Sequence, residues 1–182
     1  VEGKTAKRVI TNRGEFTADL IVANSDYQHT DQVLLEKPYR NYTPKYWDKR
    51  TMSPSSLLFY LGVDKKLGNL LHHTLFFDED FALHAEEIYT NPKWPSKPLF
   101  YASVTTHTDP SGAPEGKENL FLLVPLAPGL QDGEEIREQY YDRIMDRLER
   151  ITKQNVRDHV ILKRSYAMSD FEKDYHSFKG NA

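Results

Sequence analysis

The feature that most constrains the fold is a series of four apolar or alternating segments, each bounded by Gly, Pro, Asn or Asp. These segments are Ser55–Val63, Leu70–Phe77, Leu99–Thr106 and Asn119–Leu126. Segments of this length and pattern, separated by turn-forming residues, are typical of strands. The sequence therefore predicts one antiparallel sheet in the central part of the chain.

Helical periodicity is clearest in Glu134–Thr152. Its apolar residues recur every three or four positions, two glutamates stand at its start, and two arginines stand near its end. This pattern predicts a helix with one face packed on the sheet and with end charges that suit the helix dipole. A shorter helix is predicted for Phe81–Tyr89, because the three prolines that follow it cannot continue a helix.

The N-terminal flank of the sheet segments is predicted to be a β-hairpin followed by a short helix. The hairpin joins Arg8–Asn12 to Glu15–Ala23 around a turn that contains Gly14. Ser25 or Asp26 is expected to cap the helix.

The C-terminal flank is predicted to contain a strand and a helix. The strand is His159–Arg164, and a capping box at Ser169–Glu172 opens a helix that ends near Lys179. The order of all these elements predicts an α+β fold, with an antiparallel or mixed β-sheet covered by helices.

Composition excludes several classes of protein. The chain has no cysteine, which removes disulfide frameworks, thiolate metal sites and cysteine nucleophiles. Its 24 basic and 27 acidic residues give a net charge of -3, so overall charge does not favour a nucleic acid as partner. No apolar run reaches the roughly 20 residues of a spanning helix, and Val1–Arg8 lacks the apolar core of a signal peptide. We therefore expect a cytoplasmic protein that is soluble or rests on a membrane surface.

No self-contained catalytic or metal-binding motif is present. The sequence lacks the GxGxxG, P-loop, GxSxG and HExxH signatures, so it identifies no catalytic residue. His72 and His73 are neighbours on a predicted strand and should point to opposite faces rather than bind one metal, although either could line a ligand cleft. Asp109 is expected to cap a turn, and the acidic run Asp78–Asp80 to cap the helix that follows it.

The segment between Lys37 and Arg50 combines basic and aromatic residues. Five basic side chains stand against one acidic side chain, interleaved with three tyrosines and a tryptophan. This combination favours an anionic membrane surface. We expect Trp47, Lys45, Lys49 and Arg50 to dock the protein peripherally on the cytoplasmic membrane. Nucleic-acid binding and a solvated loop with rings packed on the domain are the alternatives.

Several separated blocks occur in a distinctive order along the chain. They are Ser53-Pro54-Ser55, Phe59-Tyr60-Leu61-Gly62, Leu71-His72-His73-Thr74-Leu75-Phe76-Phe77, Thr108-Asp109-Pro110, Ala113-Pro114-Glu115-Gly116 and Leu123-Val124-Pro125. The flanking runs Ala18–Asp26 and Asp170–Gly180 fit the same series, with Ser25 and Asn181 as mild departures. Together these blocks resemble the bacterial-type phytoene desaturases, which are FAD-dependent carotenoid desaturases of the amine-oxidase-like flavoproteins.

The resemblance implies that the chain is an internal fragment of a longer two-domain flavoprotein. The parent enzyme would use FAD to take a hydride from an allylic carbon of a C40 polyene, while the neighbouring carbon loses a proton. Residues 1–36 would belong to or border the FAD domain, 37–54 would form the basic and aromatic loop, and 55–182 would form the substrate-binding cap domain. The main flavin-binding motif lies outside this sequence, so the isolated fragment is expected to be inactive.

The resemblance also implies two groups of site residues. Asn24 and Asp26, at the carboxyl end of a predicted strand, are expected to approach the flavin. A hydrocarbon substrate offers nothing to hydrogen-bond, so its tunnel should be built from apolar and aromatic side chains. The candidates are Leu58, Tyr60, His73, Leu75, Phe77 and Tyr101.

Two alternative functions stay open on the sequence alone. Within the flavoproteins, the parent could be a carotenoid saturase, an isomerase, or a desaturase of shorter or oxygenated carotenoids. From a different class, the chain could be a lipid-binding or interaction module without a redox role.

Overall fold

The protein is described by a computed structural model that covers residues 1–182. Its strands are β1 (Arg8–Thr11), β2 (Gly14–Thr17), β3 (Ser55–Val63), β4 (His73–Phe76), β5 (Phe100–Ser103), β6 (Glu118–Leu126) and β7 (Val160–Tyr166). Its α-helices are α1 (Tyr27–His29), α2 (Pro44–Asp48), α3 (Phe81–Tyr89), α4 (Glu134–Thr152) and α5 (Met168–Tyr175).

The centre of the fold is a five-stranded sheet with the order β4-β5-β6-β3-β7. Every neighbouring pair in it is antiparallel. The predicted antiparallel sheet and the α+β class are thereby confirmed. Strands β4 and β5 are shorter than predicted, because the residues on either side of them bend away into loops and find no partner strand.

One face of the sheet forms the hydrophobic core. Alternate residues of β3 and β6 point to this face and are at most 3% exposed: Leu57, Phe59, Leu61, Val63, Leu120, Leu122, Val124 and Leu126. Helix α4 has the bounds that its periodicity predicts, and it contributes Tyr141 and Ile144 to the same core. The rings of Phe59 and Tyr141 lie with centroids 5.3 Å apart. Burial of this apolar area is the main stabilising contribution to the fold.

The N-terminal hairpin is confirmed, but its second strand ends at Thr17 rather than Ala23. Residues 18–26 are extended without a partner strand, and Leu20 and Val22 are both 78% exposed. The prediction that Asn24 and Asp26 follow a paired strand is therefore wrong, because a strand requires a neighbour and this chain supplies none. The predicted cap is confirmed, since Asp26 Oδ1 accepts a 3.0 Å hydrogen bond from the His29 N–H.

The last helix, α5, is displaced from its predicted position. It begins at Met168, and Asp170 Oδ2 accepts a 3.0 Å hydrogen bond from the Ala167 N–H. Ser169 does not cap it, because its hydroxyl donates to Asp132 Oδ2 at 2.8 Å instead. The helix ends at Tyr175 rather than near Lys179, because His176 adopts a left-handed conformation with φ 55°.

Residues from both flanks pack into one aromatic cluster. The Trp47 ring lies 5.3 Å from Tyr27 and 6.4 Å from Phe178, between ring centroids. Trp47 is only 7% exposed, and its Nε1–H donates to the buried carboxylate of Asp31 at 3.2 Å. The prediction that Trp47 docks on a membrane is therefore wrong, because its indole lies inside this cluster. Through Tyr27, Trp47 and Phe178, the cluster joins residues of 1–36, 37–54 and 55–182.

None of the helices combines the length and the apolar character needed to cross a membrane.

Candidate functional site

The second face of the five-stranded sheet carries apolar side chains but no covering long helix. Strand alternation and register bring together seven residues, which we call the open face: Leu58, Tyr60, His73, Leu75, Tyr101, Phe121 and Leu123. Leu75 lies opposite Tyr101, Tyr101 opposite Leu123, and Leu123 opposite Leu58. Five of the six predicted substrate-lining residues thus share one surface. The sixth, Phe77, lies just beyond the end of β4.

The open face is unusual for a sheet surface because several of its exposed residues are apolar, although His73 and, opposite Tyr60 on β7, Arg164 are exposed polar residues. Leu75 is 62% and Tyr60 44% exposed, whereas Leu58 is only 8% exposed. The Phe121 ring lies 5.2 Å from Tyr60 and 6.2 Å from Tyr101, so the three rings form a continuous surface. An antiparallel sheet normally presents polar residues on its solvent side. A contiguous apolar surface of this kind indicates a binding site.

A shallow depression of about 380 Å³ lies at one end of the open face. Its lining includes Tyr60, Gly62, Thr105, Phe121 and Leu162. Gly62 lies opposite Leu162, and a Cβ added at Gly62 would lie 3.3 Å from the Leu162 Cβ. Because Gly62 has no side chain, β7 can approach β3 closely at this point, and the depression stays open. Sequence reasoning missed Phe121, although the alternation of the predicted strand Asn119–Leu126 already placed it with Leu123 on one face.

The two adjacent histidines lie together at the edge of the open face. Their ring centroids are 4.2 Å apart, and His73 Nδ1 lies 2.5 Å from Tyr101 Oη. His72 precedes β4, and its Nδ1 lies 2.6 Å from Thr108 Oγ1. The prediction that the rings point to opposite faces is wrong, because only His73 obeys the alternation of the strand. No group of three or more His, Asp or Glu residues is arranged to hold a metal ion.

The predicted flavin contacts lie in a cleft between the two ends of the chain. The cleft has a volume of about 610 Å³ and brings Asn24 and Asp26 against Tyr175, His176 and Asn181. Asp26 Oδ2 accepts a 3.2 Å hydrogen bond from the Phe178 N–H, so both of its carboxylate oxygens are engaged within the protein. The side chain of Asn24 has no such partner and is exposed. The cleft therefore offers the free amide of Asn24, and the approach of Asn24 and Asp26 to a flavin stays a prediction.

Tyr166 connects the cleft to the open face. It lies opposite Leu58 in the sheet, and its ring packs edge-on against Phe171, which lines the cleft, at 4.9 Å. Its hydroxyl donates to the Asp170 carbonyl at 3.1 Å and to Asp174 Oδ2 at 3.0 Å. Burial, followed by the bond to Asp174, raises the pKa of Tyr166 to about 12. Tyr166 therefore stays neutral and holds α5 against the sheet.

The remaining acidic candidates have structural roles. Asp109 Oδ1 accepts hydrogen bonds from the Ser111 hydroxyl at 2.6 Å and its N–H at 3.0 Å, which confirms the predicted turn cap and lowers the pKa of Asp109. Asp80 caps α3 through the Ala82 N–H at 2.8 Å. Asp78 does not cap this helix, because its carboxylate pairs with the guanidinium of Arg147.

The basic residues predicted to meet a membrane all lie at the surface. Lys45, Lys49 and Arg50 are exposed along and just after α2. The Arg50 guanidinium lies 5.1 Å from the centre of the Tyr46 ring. Their role in docking stays a prediction.

The fold has a counterpart among solved structures. It resembles the crystal structure of an oxidoreductase from Methanosarcina mazei with a TM-score of 0.52 and 17% identity, over 92% of this chain and 35% of that chain. No family model matches the sequence.

Sequence comparison identifies the relatives more closely. The chain is 40% identical over 175 residues to a carotenoid 3,4-desaturase from Haloarcula japonica, covering 96% of this chain and 35% of that protein. It is 31% identical to a 4,4'-diapophytoene desaturase (4,4'-diapolycopene-forming) from Methylomonas, covering 99% of this chain and 36% of the relative. A 4,4'-diaponeurosporene oxygenase from Staphylococcus aureus is 32% identical, and the match covers 97% of this chain and 37% of that protein.

The chain spans about a third of the length of these curated relatives. The resemblance to carotenoid desaturases is confirmed, and the chain is a homologue of one segment of these oxidoreductases.

Proposed function

We propose that the full-length protein containing this chain is an FAD-dependent carotenoid desaturase and that the open face forms one wall of its polyene site. The observation that carries this proposal is the open face itself. A sheet surface built from Leu58, Tyr60, Leu75, Tyr101 and Phe121 matches a substrate that is almost entirely apolar.

The dimensions of the sheet suit an elongated hydrocarbon. Strands β3 and β6 each have nine residues, which corresponds to a length of about 30 Å. The rings of Tyr60, Phe121 and Tyr101 run across the strands and offer flat contacts to a conjugated chain. Covering this face would remove water from both partners, and that burial would supply most of the binding energy.

The chain's own residues would orient the substrate rather than carry the redox step. Bound FAD would supply the acceptor for the hydride taken from an allylic carbon, while the neighbouring carbon loses a proton as the new double bond forms. Asn24 is the residue of this chain with a free amide at the cleft, where a flavin edge would lie. Tyr166 fixes the position of that cleft relative to the open face, because it bonds to Asp174 in α5 and lies opposite Leu58 in the sheet.

The proposal includes peripheral attachment to the cytoplasmic membrane. A carotenoid is soluble in the bilayer and not in water, so an enzyme that acts on it gains from lying at the membrane surface. The exposed Lys45, Lys49 and Arg50 are suited to anionic headgroups. Trp47 has no part in this contact, since it is buried.

The test is carotenoid production by the full-length protein in cells that make phytoene, with products separated by chromatography. Tyr60→Asp places a charge on the open face, where Arg164 of β7 lies opposite, and should strongly reduce conversion, because covering a carboxylate with an apolar substrate is costly. Tyr89→Asp makes the same change at a tyrosine that is 57% exposed on α3 and should leave conversion unchanged. Full conversion by a folded Tyr60→Asp variant would refute the role of the open face. Products with fewer or merely isomerised double bonds would identify a saturase or an isomerase instead.

A further inference from the structure

The apolar side chains of the open face continue beyond the end of β4 onto the start of α3. Phe76 points to the core and is 4% exposed, so the next residue, Phe77, points to the opposite side, as Leu75 does. Phe81 is the first residue of α3, and its ring lies edge-on to Phe77 with centroids 6.0 Å apart. Leu75, Phe77 and Phe81 therefore form a row of apolar side chains that leads off the sheet, which we call the apolar strip.

The apolar strip is exposed along its whole length. Leu75 is 62%, Phe77 60% and Phe81 66% exposed. Apolar surface gains free energy when a partner removes it from water, and a contiguous exposed row of this kind is typical of an interaction surface. The strip is therefore a surface that an apolar partner can cover.

The three acidic residues between the two phenylalanines do not oppose an apolar partner, because each carboxylate already has a partner within the protein. The partners are Arg147 for Asp78, Lys97 Nζ at 3.2 Å for Glu79, and the Ala82 N–H at 2.8 Å for Asp80. The charge of Asp80 is also compensated by the N-terminus of α3, which it caps. The acidic run therefore presents no unpaired carboxylate beside the strip.

We propose that the apolar strip enters the surface layer of a lipid bilayer and is the route by which a polyene passes from the membrane to the open face. This inference rests on the proposed function, and it adds an entry route to the site. A polyene dissolves in the bilayer and not in water. It reaches the open face without crossing water where an apolar surface connects the two, and the strip is such a connection.

The apolar strip lies at the same end of the sheet as the basic residues near α2. Strand β3 begins at Ser55, shortly after Arg50, and antiparallel pairing through β6 and β5 places the start of β3 near the same end as Phe76. The two strands are about 14 Å apart, because β5 and β6 separate them. One membrane surface can thus meet both the strip and the exposed Lys49 and Arg50.

The two membrane contacts have different physical origins. The basic residues attract the protein to anionic headgroups, and this attraction is weakened by salt. An inserted phenylalanine ring contributes through burial of apolar area, as aromatic side chains do in proteins that lie on membranes. Phe81 is the residue to change, because it lies outside the sheet and is not among the substrate-lining candidates.

The first experiment measures insertion with the full-length, FAD-loaded protein carrying Phe81→Trp. The probe is a vesicle of phosphatidylcholine and phosphatidylglycerol with bromine atoms on the acyl chains, which quench an inserted indole. The difference from the wild type, which keeps Trp47 and Trp94, reports the new indole. The matched control is Tyr89→Trp, because Tyr89 is 57% exposed at the other end of α3. We expect clearly stronger quenching for Phe81→Trp than for Tyr89→Trp.

The second experiment measures entry of the substrate. A C40 polyene is delivered to the full-length protein either in vesicles, at limiting vesicle concentration, or in detergent micelles, which bypass the membrane. The measured quantity is the ratio of the two conversion rates within each variant, so a general loss of stability does not imitate the effect. Phe81→Ser should lower this ratio by roughly 5-fold to 50-fold through the vesicle rate alone. Tyr89→Ser is the control and should keep the wild-type ratio.

Three results would overturn the proposal. One is equal quenching of Phe81→Trp and Tyr89→Trp, and another is an unchanged ratio for Phe81→Ser. The third is an indole of Phe81→Trp that acrylamide cannot reach even without vesicles, because another part of the full-length protein would then cover the strip. A wild type that converts the polyene from neither carrier would refute the proposed function instead, and the quenching experiment would still report insertion.

Discussion

The carboxylate of Asp26 accepts a 3.2 Å hydrogen bond from the backbone N–H of Phe178, although 152 positions separate the two residues. The other oxygen of the same carboxylate caps α1. Asp26 therefore fixes the segment before the sheet to the segment after it.

Asp26→Ala should lower the free energy of unfolding by about 1–2 kcal/mol, because it removes both the cap and the bond to Phe178. Urea unfolding of the 182-residue chain would measure this change. The control is Asp48→Ala, which removes an exposed carboxylate without a side-chain partner and should have little effect. Equal stability of Asp26→Ala and the wild type would show that the two flanks are not held together by this residue.

Gly180→Ala should destabilise the protein more than an ordinary change at a left-handed glycine. Gly180 has φ 62°, and an added Cβ would lie 2.6 Å from the Met168 Cβ and 2.8 Å from the Met168 carbonyl oxygen. The backbone conformation alone costs about 1–2 kcal/mol, and the steric overlap adds to this cost.

Gly116→Ala separates these two contributions. Gly116 has φ 78° but nothing within 4 Å of an added Cβ, so it bears only the conformational cost. Thermal unfolding of both variants should give a larger fall in Tm for Gly180→Ala. Equal falls would mean that the C-terminal segment moves away from α5 without a penalty.

The elements that local pattern determines could be predicted from the sequence. Helix α4 has its predicted bounds because periodicity and end charges act within the helix itself. The strands of the central sheet follow from alternation in the same way. Most of the open face could also be predicted from alternation, since residues two positions apart on a strand share a face whatever lies around them.

The predictions that were wrong concern residues whose structure depends on partners that are distant in sequence. Trp47 lies in a basic and aromatic segment that suits a membrane. Its burial depends on the carboxylate of Asp31 and on the rings of Tyr27 and Phe178. Residues 18–23 have strand character, but no neighbouring strand is available to pair with them. The contact between His72 and His73 depends on a loop that brings Thr108 to the first ring.

His84 should make the stability of the protein depend on pH. The ring is 3% exposed, its Nδ1 accepts from the Leu99 N–H at 3.0 Å, and its Nε2 lies 3.1 Å from the Pro125 carbonyl, to which it donates. Burial lowers the pKa of His84 below its ordinary value of 6.5. Because the unfolded chain binds the proton more readily, this stabilising contribution is complete above pH 6.5 and falls as the pH decreases below it.

His84→Phe should remove this pH dependence and also lower the stability at pH 7.5 by about 2–4 kcal/mol, since two buried backbone groups lose their partner. Denaturant unfolding at several values between pH 5 and 7.5 would measure both effects. His29→Phe is the control, because that ring stacks on His176 near the surface, and its removal should leave the pH dependence due to His84 in place. A wild-type stability that does not change over this range would contradict the prediction.

Membrane attachment should depend on the basic residues near α2 and not on Trp47. Lys45→Glu, Lys49→Glu and Arg50→Glu together should abolish co-sedimentation of the full-length protein with vesicles rich in anionic lipid, because each basic residue near the surface contributes about 1 kcal/mol. Added salt should weaken the wild-type binding for the same reason.

Two controls separate this contact from other effects. Trp47→Phe removes the bond to Asp31 and should lower the stability by about 1 kcal/mol, yet it should leave vesicle binding unchanged because the ring is buried. Lys4→Glu, Lys7→Glu and Lys173→Glu make the same change of net charge at exposed positions elsewhere, and binding should persist. Loss of binding in this second triple variant would show that total charge determines attachment. Loss in Trp47→Phe alone would show that the aromatic cluster opens at the membrane.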